Sequence, residues 1–201
     1  QIKVPSGNVL LQSVDHFRSV IDDPYLQARI AVCHAFSDIY ACGGEADSVL
    51  AALTLPFSKP NVTRGLLKQI LGGALDQLQE EGASLIGGHT SEGLELSIGF
   101  TANGFVSAGS AWSKVGARAG DVLLLTKAVG TGALLAANMR YRARGEWVNE
   151  AIDSMLLSNR AAVSILREYE IKACTDITGF GLAGHLEEML GKRFGACLDE
   201  G

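Results

Sequence analysis

The chain has 201 residues, 47% of them hydrophobic and 19% charged, which is enough apolar material for one large or two small cores and too much for a disordered chain. A net charge of −5 with no run of Lys or Arg excludes a basic surface for nucleic acid. No apolar run reaches the roughly 18 residues of a bilayer crossing, and no charged-then-apolar leader opens the chain, so a cytoplasmic protein with no membrane or nucleic-acid partner is expected.

In chain order, residues 9–14 are a β-rich run that ends in Asp15, and Asp22, Asp23 and Pro24 supply a turn whose proline is placed to begin a helix. That helix is expected over 24–42, with Leu26, Ile30, Cys33 and Ile39 on its apolar spacing, Asp38 in its last turn and Gly43-Gly44 ending it. A buried strand follows over 49–55. Pro60 and Thr63 then open a helix whose face carries Leu66, Leu67, Ile70, Leu71, Ala74, Leu75 and Leu78, and which stops at Gly82. A short strand at 83–86 is expected to run into a turn made by Gly87, Gly88, His89 and Thr90, and a further strand occupies 94–106.

A first domain over 1–107 and a second over 108–201 are expected, because Gly116 to Asp121 is turn chemistry between two patterned regions. The second domain reads as a strand at 122–126, a helix to about Met139, a helix over 149–169, a strand at 171–174, and a Gly-rich turn with its helix to Leu190. Strands and helices alternate throughout, so the fold class is α+β, in two α/β domains.

Ligands favour the ends of strands, and a dry, unpaired carboxylate there is costly. Asp15, Asp38 and Asp176 lie in apolar surroundings and suit magnesium, a hard ion that takes one or two carboxylates and completes its shell with water and phosphate oxygens. Each alone reads equally well as a turn or helix-end residue. Gly87-Gly88-His89-Thr90 can present successive N–H groups to a phosphate. No Walker A run, G-x-S-x-G elbow or C-x-x-C pair occurs, and the histidines His16, His34, His89 and His185 show no paired ligand spacing. The cysteines Cys33, Cys42, Cys174 and Cys197 read as buried free thiols.

Gly179, Gly181 and Gly184 satisfy the G-x-G-x-x-G pattern of dinucleotide turns, with Asp199 at the distance of a ribose-binding acid. Asp176, three residues before the first glycine, opposes that reading, because it sets a negative charge beside a pyrophosphate. A magnesium ion shared between Asp176 and a phosphate removes the objection.

Ser13-Val-Asp15-His-Phe17, Ser37-Asp38-Ile-Tyr-Ala-Cys-Gly-Gly44, Gly87-Gly-His89, Leu125-Thr-Lys127-Ala-Val-Gly-Thr-Gly132 and Thr175-Asp176-Ile-Thr-Gly-Phe-Gly-Leu-Ala-Gly-His185 together resemble the selenophosphate synthetase (selenide, water dikinase) family over nearly the whole chain. The resemblance implies the aminoimidazole ribonucleotide synthetase-like fold, with N-terminal sheets forming a barrel across a homodimer and a C-terminal α/β domain that is cut short here. It implies an ATP-dependent enzyme that joins ATP, selenide and water into selenophosphate, AMP and phosphate. By position, Asp15 and Asp38 match aspartates that bind magnesium-ATP, Asp176 matches a metal-binding aspartate, and Gly88, His89 and Thr90 match a loop that contacts the nucleotide. The family's Gly-rich segment with its catalytic Cys or selenocysteine and nearby Lys would precede Gln1. Without it, poor nucleotide binding and no selenophosphate formation are expected of this chain alone. His34 stands where the family has Asn, and Cys42 where it often has Met. The competing readings are a sister enzyme of the thiamine-monophosphate kinase type and a dinucleotide-binding oxidoreductase built on Gly179-Phe180-Gly181.

Overall fold

The computed structural model describes residues 2–191 and 195–198; Asp199 lies outside them. The first region runs β1 (Asn8–Arg18), α1 (Pro24–Ala41), β2 (Glu45–Pro56), α2 (Pro60–Glu81), β3 (Ser84–Gly93) and β4 (Ser97–Ser107). Asp23 caps α1, its carboxylate accepting the Tyr25 and Leu26 N–H groups at 2.9 and 3.0 Å, and Pro24 occupies the first turn.

The four strands form one sheet in the order β1-β4-β2-β3. β4 is antiparallel to both β1 and β2, whereas β3 runs parallel to β2 after the α2 crossover. Helices α1 and α2 cover one face, and Phe36, Ile39, Leu55, Ile70, Leu78 and Phe100 are buried between the layers. The other face is open and carries Val14 and Leu50, 69% and 40% exposed, in one row through Thr101.

Three strands are longer than their sequence reads. β1 continues past Asp15 because β4 pairs with it as far as Arg18, opposite Ser97, which puts Asp15 in mid-strand opposite Phe100. Gly87 to Thr90 are also strand rather than turn. Ile86 is the extra residue of a bulge, after which Gly88 pairs with Ala51 so closely that a Cβ would stand 2.3 Å from the Ala51 carbonyl oxygen. β2 and β4 begin at Glu45 and Ser97 rather than at 49 and 94.

The second region carries α3 (Thr131–Asn138), α4 (Gly145–Leu156), α5 (Arg160–Leu166) and α6 (Gly181–Leu190), and among the described residues it forms no strand. The strands read at 122–126 and 171–174 therefore do not appear. No neighbouring strand takes up their backbone groups, and Val122 and Leu124 are 83% and 75% exposed. The single helix read over 149–169 is two. It breaks at Leu157, where the Ser158 hydroxyl donates to buried Glu81 at 3.0 Å and the Lys127 ammonium donates to the carbonyls of Ser154 and Leu157.

The turn after α1 receives this second region. Gly43 has φ +70°, and the Trp112 ring fills the space a Cβ would need. The Trp112 N–H donates to the Cys42 carbonyl at 3.0 Å, and Arg167 donates through Nε and Nη2 to the Gly43 carbonyl at 3.2 and 2.7 Å. Among the described residues, no helix is long and apolar enough to cross a membrane.

Candidate functional site

Strand alternation turns Leu11, Ser13, Asp15 and Phe17 toward α1 while their even-numbered neighbours face outward. On α1, the spacing of His34, Ser37 and Asp38 puts the three on a common side. They meet in pairs. The Ser13 hydroxyl donates to Asp38, His34 Nε2 lies 3.3 Å from Asp15 Oδ1, and the His34 ring packs on Phe17 with centroids 5.0 Å apart. Asp176 arrives from the second region and accepts from the Ser37 hydroxyl at 2.5 Å.

Three carboxylates 161 residues apart in sequence thus gather along one side of α1, and their charges act on one another. Burial raises the Asp38 pKa above the ordinary carboxylate range, and the negative charges of Asp176 and Asp15 raise it further against the opposing Ser13 hydrogen bond and His34. Burial pulls the His34 imidazole down, but its contact with Asp15 and the charges of Asp15, Asp176 and Asp38 outweigh that and carry it above its usual value.

A cleft of about 250 Å³ opens beside this cluster, lined among others by Ser13, Asp38, Cys42, Trp112, Lys114 and Asp176. Among the described residues, no three His, Cys, Asp or Glu side chains stand close enough to hold one ion together. Each aspartate instead leans on a serine or a histidine. The donor set is nevertheless all hard carboxylate oxygen, with the Asp38 carboxyl made costly to ionise by burial and then by the charges of the other two. Such a set suits a magnesium ion bound through one or two carboxylates, its remaining positions filled by water and phosphate oxygens.

Gly88, His89 and Thr90 are not part of this gathering. The sheet register runs Asp15, Phe100, Ala51, Gly88, so Gly88 shares a row with Asp15 but stands three strand spacings away, about 14 Å. All three are exposed on the free edge of β3.

Two family models divide the chain between them. AIR synthase related protein, N-terminal domain, matches residues 1–106, and AIR synthase related protein, C-terminal domain, matches residues 118–201. The chain belongs to the AIR synthase related family. A relative from Geobacter metallireducens named "Selenide, water dikinase" is 40% identical over 188 residues, covering 93% of this chain and 54% of its own length. The chain spans about half the length of the curated relatives it matches. Two solved structures share the AIR synthase related fold at 19% identity. Hydrogenase maturation protein HypE in complex with ATP has a TM-score of 0.77 over 95% of this chain and 57% of its own. Thiamine-monophosphate kinase from Stenotrophomonas maltophilia has a TM-score of 0.74 over 88% of this chain and 58% of its own.

Within this AIR synthase related chain the Gly179–Gly184 turn lacks the preceding strand of a dinucleotide site. It is closed by its own side chain, because the Thr178 N–H donates to His185 Nε2 at 3.1 Å. Reading the motifs alone missed Ser13, Ser37, the His34 contact and Lys114. The two-residue spacing of Ser13 and Asp15 on a strand was the available signal for the first. No local signal pointed to Lys114, whose place in the cleft depends on packing between regions. Burial pushes the thiols of Cys33 and Cys174 up to about 12 and about 11, as befits packed rather than nucleophilic cysteines.

Proposed function

We propose that the chain is part of an ATP-dependent selenide, water dikinase, a cytoplasmic phosphotransferase that joins ATP, selenide and water to give selenophosphate, AMP and phosphate. One observation carries this reading: Asp38 and Asp176, from the two regions, line one cleft beside α1, with Asp15 held nearby by His34 of the same helix. The name carried by relatives near 40% identity supports the reaction, whereas the thiamine-monophosphate kinase likeness is one of fold at 19% identity.

In this proposal Asp38 and Asp176, with Asp15, hold magnesium-ATP. An ion held there would neutralise phosphate charge and supply Lewis-acid stabilisation to the phosphoryl transfer. Ser13 and Ser37 orient the carboxylates of Asp38 and Asp176, and the His34 pairing restrains Asp15. Gly88, His89 and Thr90 contact the nucleotide from the far sheet edge. A homodimer is supported by the open sheet face with Val14 and Leu50, which a second sheet would cover to make the barrel.

The test is a thermal-shift and isothermal titration series with magnesium-ATP, magnesium alone and NADH. Weak stabilisation by magnesium-ATP is expected, reduced in Asp38→Asn and in Asp176→Asn. Stabilisation by NADH without magnesium-ATP, or an undiminished response in both variants, would sink the proposal.

A further inference from the structure

Among the described residues that line the cleft, Lys114 is the one basic side chain, in company with Asp38 and Asp176. It comes from the connecting segment after β4, and its ammonium pairs at 2.8 Å with Glu188 on α6, leaving its side chain 49% exposed. Glu188 raises the Lys114 pKa above its usual value, and Asp176 and Asp38 add smaller pushes in the same direction, so the ammonium stands within electrostatic reach of both site carboxylates. It makes no direct contact with either of them.

A lone cation on a flexible four-carbon stem, held at the rim by an exposed partner, is cheap to redirect. Exposed pairs of this kind are worth only ~0–1 kcal/mol, whereas a lysine bonded to a phosphate oxygen gains more. A polyphosphate that brings magnesium to Asp38 and Asp176 also brings anionic oxygens that two carboxylates alone repel.

We infer that Lys114 is the phosphate-binding cation of this cleft, exchanging its resting partner Glu188 for an oxygen of the bound polyphosphate. The inference rests on the magnesium-nucleotide reading for its ligand, but the class of ligand it requires is broader, namely any polyphosphate anion.

Two probes separate the two claims, magnesium-ATP and magnesium-tripolyphosphate, titrated calorimetrically into the wild-type chain and three variants. Lys114→Met is expected to weaken binding of both about tenfold, and Lys114→Arg to keep most of it. Glu188→Gln is expected to tighten binding about two- to threefold by freeing the ammonium. The opposite signs are decisive, because a purely structural ion pair makes Lys114→Met and Glu188→Gln act alike. Equal binding by wild type and Lys114→Met, or matching losses in Lys114→Met and Glu188→Gln, overturns the inference. Lys114-dependent binding of tripolyphosphate without binding of ATP keeps it and refutes the nucleotide reading. Binding of neither probe overturns both. Melting temperatures of the variants without ligand confirm that each is folded.

Discussion

The two regions of the chain are built to different standards of self-sufficiency. The first encloses a sheet and two long helices around fully buried Phe36, Phe100, Ile39 and Ile70, whereas the second contributes Leu135, Val148, Ala151 and Val163 to the buried apolar set. Its segment 122–125 exposes Val122, Leu123, Leu124 and Leu125. The difference teaches where the site draws its rigidity. Asp15 and Asp38 stand on elements that the first core locks, and Asp176 stands on irregular chain that leans on the first region through Ser37.

The sharpest way to break this contrast is a pair of core truncations. Phe36→Ala is expected to cost about 3–5 kcal/mol and to lower the main urea transition. Leu135→Ala is expected to cost about 2 kcal/mol, the low end for a buried leucine, and to open α3 and α4, seen as faster amide exchange there, while the sheet stays protected. A single transition shifted equally by both would mean that the regions unfold as one.

Next in size is a change at the helix contact that supports α1. At Gly73 a Cβ would fall 2.1 Å from the Tyr25 carbonyl oxygen, while at Gly72 the nearest neighbour is a ring carbon at 3.9 Å. Gly73→Ala is therefore expected to destabilise by about 1–3 kcal/mol by prising α2 from α1. Gly72→Ala, which only gains helix propensity, should be neutral or stabilising by up to ~1 kcal/mol. Equal effects in chemical denaturation would show that α1 and α2 approach less closely than described.

The smallest expected effect concerns the site itself. Asp38 is harder to ionise folded than unfolded, so its charge costs stability at neutral pH, and that cost fades as pH falls through its raised folded-state value. Asp38→Asn should then be more stable than wild type at pH 7, by less than about 1 kcal/mol because the half-exposed group is screened. The gap should close below the ordinary carboxylate range. A less stable variant at pH 7 would mean that the Ser13 hydrogen bond outweighs the crowding of charge.

The parts legible in sequence were those that local chemistry dictates. Asp23 and Pro24 announced the start of α1, and Gly82, left-handed at φ +70°, its counterpart at the end of α2. Where pairing decides, the reading slipped. Gly87 and Gly88 look like a turn and are strand because β2 runs alongside them, and residues 122–126 look like strand and are not because nothing does. The aspartates stood out as costly carboxylates in apolar sequence. Their separate partners, Ser13, His34 and Ser37, are set by how β1 meets α1. The separation of about 14 Å between Asp15 and Gly88 is set by strand order, which no motif encodes.

The last turn of α1 has one more bearing on all this. Ser37, which reaches Asp176, and the carbonyls of Cys42 and Gly43, which receive Trp112 and Arg167, lie within seven residues that include Asp38. In a machinist's language both halves of the site are gauged from a single datum. Tilting the second region about that turn would act first on the Ser37 hydrogen bond that holds Asp176 at the cleft.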